Sequence, residues 1–212
     1  MRLARTILVS GLVLLAPPGF AATEQAEPYD LLFKLGTLDD VARDRTLIYS
    51  RTVENALVPE TEARDTGDIQ LSFAEDETDD TEEAVLTFHQ DEKHRMLGEF
   101  PASVGNPLIL YFVETVSRDM AESAGGSPFY IRNRVKEALV SPATIETGEE
   151  TTVTMRPFEG DPNADRMKGF EDLTLTVTMS DDVPGWYSRL EATVPGADGP
   201  IYSSTLTYEG DK

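Results

Sequence analysis

The stretch that most constrains the fold runs from Asn106 to Pro142, "NPLILYFVETVSRDMAESAGGSPFYIRNRVKEALVSP". It opens a helix twice with the same punctuation, a small polar cap followed by proline: Asn106-Pro107, then Ser127-Pro128. Both are favoured at a helix start, because the cap accepts an orphan N–H and proline has none to lose. Gly125-Gly126 stops the first helix and Ser141-Pro142 closes the second. The spacing predicts a helix pair over about 107–123 and 128–140. In the first, Leu108, Ile109, Phe112, Val113, Val116 and Met120 fall within one wide helical arc. A helix apolar over so wide an arc needs a sheet to cover it.

The flanking segments supply that sheet, because the period changes to two on both sides. Leu47, Tyr49 and Val53 alternate with Ile48, Ser50 and Thr52; Ile69, Leu71 and Phe73, and then Ala84, Leu86 and Phe88, likewise share one face. "HRMLGEF" returns the chain from a turn at "DEK" and ends at Pro101, which cannot donate to a ladder. After the helices, "ETTVTMRPF" alternates over Val153 and Met155. "FEDLTLTVTM" then puts Leu173, Leu175, Val177 and Met179 on one face and threonines on the other. "WYSRLEATV" and "IYSSTLTYEG" follow across short turns, so these last three strands form an antiparallel meander; Pro184-Gly185 suits a type II turn. "EPYDLLFKLGTLDDV" from Glu27 reads as a short first helix stopped at Gly36, and "ALVPETEARDTG" as a loop. The expected fold is a single α+β domain. Its curved, mainly antiparallel, half-barrel-like sheet has about 7–9 strands, with the helix pair packed on one face. In element order it resembles the half-barrel of periplasmic lipoprotein carriers, a likeness of architecture alone.

The N-terminus reads as an export signal. Arg2 and Arg5 precede an apolar run from Thr6 to Ala16, and "PPGFA" places small residues near a cleavage point after Ala21, with Ala22 the alternative. The apolar run is too short to span a bilayer, which takes about 20 residues. The expectation is a signal peptide over 1–21, a mature domain over 22–212 without a transmembrane segment, and a periplasmic location. The chain has no cysteine. That excludes lipoprotein acylation, disulfides, thiol catalysis and Cys-ligated metal.

Charge narrows the partners. Without Arg2 and Arg5, 16 basic residues face 39 acidic ones, a charge of −23. Nucleic acid is excluded as a partner, since phosphate neutralisation needs a concentrated basic face. From Glu75 to Glu83, seven of nine residues are acids, a solvated loop or a dock for an envelope protein with a basic surface.

No motif for catalysis is complete. His89 and His94 flank the "DEK" turn, with Asp91 and Glu92 between them, so they are candidates for a divalent metal or a metal-dependent activity. No G-x-S-x-G accompanies them to make a serine hydrolase. Asp161, Asn163, Asp165 and Asp172 stand at positions 1, 3, 5 and 12 of a calcium-loop count, but Arg166 takes the place of the turn glycine. The EF-hand pattern fails there. What remains is a weak calcium or other divalent site on Asp161, Asn163 and Asp165, or a polar turn with Asx-type hydrogen bonds. On the second helix, Ile131, Val135 and Leu139 form a core stripe whose edges carry Phe129, Tyr130, Arg132, Arg134 and Lys136. Those cations either pair with the protein's own carboxylates or bind the head of a lipid or apolar small molecule whose chain the aromatics cover. The leading expectation is a non-enzymatic periplasmic binding or carrier-like protein with an apolar groove between sheet and helices. The alternatives are an accessory partner of an envelope complex that docks through its acidic surface, and an enzyme using the histidine hairpin.

Overall fold

A computed structural model describes residues 22–75 and 81–212. The expected signal segment and the middle of the acidic run lie outside the described residues. Two meanders build the sheet. The first comprises β2 (Leu47–Asn55), β3 (Gly67–Glu75), β4 (Glu82–Gln90) and β5 (Lys93–Pro101). The second comprises β6 (Ala143–Thr147), β7 (Thr151–Met155), β8 (Thr174–Met179), β9 (Tyr187–Val194) and β10 (Tyr202–Asp211). The last strand joins them, since β10 pairs antiparallel with β2 from Tyr202 opposite Asn55 to Asp211 opposite Leu47. A short strand β1 (Ala22–Ala26) closes the far edge against β6. The result is one open antiparallel sheet of 10 strands, in the order β1-β6-β7-β8-β9-β10-β2-β3-β4-β5. This is the expected α+β architecture, with more strands than expected.

The extra strands, β1 and β6, offer alternation little to register, since ATEQA has no large apolar residue and ATIET has Ile145 alone. Among the described residues four α-helices accompany the sheet, two short ones and then the long pair. α1 (Tyr29–Leu32) is shorter than expected. α2 (Glu60–Asp65) occupies the segment expected to be a loop. It has no apolar stripe; it starts after Pro59 with Glu60 and Glu62 in its first turn, where acids complement the helix dipole. The pair itself is α3 (Leu108–Ala124) and α4 (Pro128–Ala138), each within two residues of expectation.

The first helix is started by Asn106. Its Oδ1 accepts the Leu108 N–H at 3.0 Å, while its Nδ2 donates to Tyr49 Oη at 3.1 Å and to the Gly185 carbonyl at 2.9 Å. One amide thus ties the helix start to β2 and to the β8–β9 turn. Gly185 is needed there for two reasons. Its φ is +79°, and a Cβ would come within 2.7 Å of Leu47 Cδ1 and 2.9 Å of Asn106 Nδ2.

Every residue of the α3 apolar arc is buried. It packs over the sheet centre, where β10 and β2 present Tyr202, Leu206, Tyr49 and Val53. That layer is filled rather than hollow: Tyr49, Arg51, Phe112 and Tyr202 are all fully buried within it. The inward face of β2 also carries Arg51, which alternation alone assigns to the core. It survives there because Asp119 of α3 meets its Nη2 at 3.3 Å and Tyr111 Oη accepts from its Nη1 at 2.9 Å. Tyr202 donates to the same Asp119 carboxylate at 2.9 Å, and Arg118 donates to its other oxygen at 3.0 Å. Burial, and then the Asp119 charge, push the Tyr202 phenol well above its ordinary pKa, so it stays a donor. Among the described residues Arg51 Nε has no partner.

Candidate functional site

α4 carries the cations expected to be functional, and the structure gives most of them acidic partners. Arg132 donates through Nε and Nη2 to both oxygens of Glu114 on α3, at 2.9–3.0 Å. Arg134 donates from Nε to Asp161 at 2.9 Å and from Nη1 to Glu137 at 2.8 Å. These partners lie on the neighbouring helix, the same helix and the β7–β8 loop. Lys136 is exposed, and Phe129 is 76% exposed. The predicted Ser127 start is also made differently: its backbone carbonyl accepts the Ile131 N–H, while its hydroxyl caps nothing.

Tyr130 donates to both Asp161 oxygens, at 2.8 and 2.6 Å, and accepts from Asn163 Nδ2 at 3.0 Å. The Asn163 N–H reaches Asp161 Oδ1 at 2.8 Å, which is an Asx turn. The buried Asp161 carboxylate therefore collects Tyr130, Asn163 and Arg134. Burial alone would raise its pKa, but these donors together hold it below the usual carboxylate range. Its oxygens are thereby engaged, and Asp165 of the same loop is exposed. Among the described residues, no group of three or more His, Asp or Glu side chains is placed to share a metal ion.

His89 and His94 face each other across the β4–β5 hairpin, in direct register, with ring centroids 5.9 Å apart. Asp91, which holds φ +53°, and Glu92 form the turn beyond them. Partial burial, the neighbouring His94 and Lys212 lower the His89 pKa, against the pull of Asp68. His89 lines a cleft of about 580 Å³ beside Glu54, Glu62, Asp68 and Asp91.

That cleft is representative of the surface. Of five cavities described, four are lined by at least three carboxylates each. The fifth differs. It lies at the α3–α4 turn, has a volume of about 360 Å³, and has no carboxylate in its lining. Met120 and Ala124 of α3, Ile131 of α4 and Met167 of the β7–β8 loop give it apolar walls. Tyr130 and Asn163 supply polar edges, and Gly125-Gly126 the rim. Its single charged lining residue is Arg166, which is exposed and has no hydrogen-bond or ion-pair partner from its side chain among the described residues. The neighbouring Lys168 is occupied instead, donating to the Ser123 carbonyl at 3.0 Å near the end of α3.

Of the residues expected to bind a ligand, Tyr130 lines this cavity, while Arg134 faces a separate polar one beside β6 and β7. Sequence reading missed Met120, Met167 and Arg166 as a set. Met120 was visible as core and Arg166 as the residue that spoils a calcium loop, but nothing linear brings them together. No protein-family model matches the chain, and no curated protein sequence matches it.

Proposed function

We propose that the protein is an exported, periplasmic, non-enzymatic binding or carrier-like protein that takes a small ligand with an apolar chain in the cavity at the α3–α4 turn. The observation that carries this reading is the lining: two methionines, an isoleucine and an alanine enclose a space free of carboxylates, in a chain of net charge −21. Its volume is at the lower end for small-molecule sites, which run from about 300 to 1,000 Å³. Flexible thioethers suit an aliphatic chain, since methionine repacks around irregular apolar shapes. The site differs from the expected groove beneath the helices, because side chains fill that layer. Among the described residues no helix is long and apolar enough to cross a membrane.

Calorimetric titration with straight-chain alcohols tests the reading. Affinity rises with chain length until the cavity is full, by about 0.8 kcal/mol per buried methylene. Ala124→Phe, which places a ring in the cavity, abolishes binding while leaving the melting temperature near that of the parent. Absence of binding by any chain length in the parent protein contradicts the proposal.

A further inference from the structure

The same cavity carries a second feature, and the inference from it rests on the binding reading above. Arg166 is the one charged group in the lining, and its guanidinium has no carboxylate partner among the described residues. Arg156 likewise lacks an acidic partner among the described residues, but both cavities that it lines also carry carboxylates. The arginines of α4 are both paired with acids, at 2.8–3.0 Å. Lys34, Arg43, Arg45 and Arg64 are paired too. Beside Arg166 the lining offers one further donor, the Ser127 hydroxyl, which makes no cap; the Asn163 amide is engaged by Tyr130 and Asp161. Arg166 and Ser127 can therefore donate to an anion, while Met120, Ala124, Ile131 and Met167 give the same lining an aliphatic surface.

We infer that the ligand is an aliphatic monocarboxylate, its chain against Met120, Ile131 and Met167 and its carboxylate on Arg166. A guanidinium fork matches a carboxylate in two parallel hydrogen bonds, which gives direction as well as attraction. The head is singly rather than doubly charged. One free cation offsets one negative charge, and a phosphate would enter the remaining field of a strongly acidic chain with part of its charge unmatched.

Titration of the full protein with octanoate, 1-octanol, octyl phosphate and octylammonium separates the levels of this reading. Octanoate binds about tenfold tighter than octanol, octyl phosphate no tighter than octanoate, and octylammonium weakest. Arg166→Gln brings octanoate down to the octanol level and leaves octanol unchanged, whereas Arg166→Lys keeps a partial preference. Arg166 is exposed, so these variants fold as the parent does, which an unchanged melting temperature verifies. Octanol and octanoate binding equally in the parent, or Arg166→Gln leaving the octanoate preference intact, overturns the carboxylate inference while the apolar site stands. A tighter octyl phosphate overturns the single-charge assignment and with it the stated ligand class. Failure of all four compounds removes the site itself.

Discussion

Beneath α3, Arg51 and Asp119 are each 1% exposed at the side chain, whereas on α4 Arg132 and its partner Glu114 are 34% and 51% exposed. The chemistry is the same and the consequences are not. In the interior, each charge has lost its water, so the pair matters because neither member tolerates losing the other. At the surface, water screens both charges and replaces either partner on its removal. The buried pair fixes where α3 sits on β2 and β10. The exposed pair only staples two helices that the Ile131, Val135 and Leu139 stripe already holds.

The largest effect that sharpens this contrast comes from Asp119→Ala. It strands Arg51 and removes the acceptor of Tyr202, so the protein loses about 3–5 kcal/mol in denaturant unfolding. A loss below 1 kcal/mol would dissolve the distinction between the two regions. Next comes Asn106→Ala, which deletes a cap and two donations to Tyr49 and Gly185. About 2 kcal/mol is expected, and a loss confined to a few tenths would mean that the α3 start is held by other contacts.

Acid behaviour gives an intermediate test. The Asp161 carboxylate is held below its ordinary pKa in the folded protein. Its contribution is therefore present above the unfolded pKa, near 3.9, and is lost as pH falls through the lower folded value. Asp161→Asn lowers stability at neutral pH and flattens the stability profile in that acid window; an unchanged acid limb contradicts the assignment. The smallest effect belongs to the exposed pair. A double-mutant cycle on Arg132→Gln and Glu114→Gln yields a coupling of less than about 1 kcal/mol, shrinking further in high salt. A salt-insensitive coupling of several kcal/mol would place this pair with the buried one.

Period and punctuation made much of this legible in advance. Asn106-Pro107, Ser127-Pro128 and the glycines at 125 and 126 mark the helix pair, and the alternating faces of β3, β4, β7 and β8 read directly from their inward residues. What was hidden depends on distant partners. Arg51 sits on an apolar face only because Asp119, 68 residues later, meets it there. α2 has no stripe to announce it, and β1 and β6 carry too few large apolar residues for alternation to register. The arginines of α4 stood out because they are clustered in sequence, yet carboxylates at Glu114 and Asp161 quench them. Arg166 looked like a defect in a calcium loop, and its significance comes from the absence of such a partner beside an apolar cavity.

The most direct measurement of the central claim is a backbone amide NMR titration with octanoate. Perturbations confined to Met120–Ile131 and to the loop around Asn163–Met167 are the predicted result. Perturbations centred instead on Arg132 and Lys136, or on the cleft beside His89, or none at all, would contradict it.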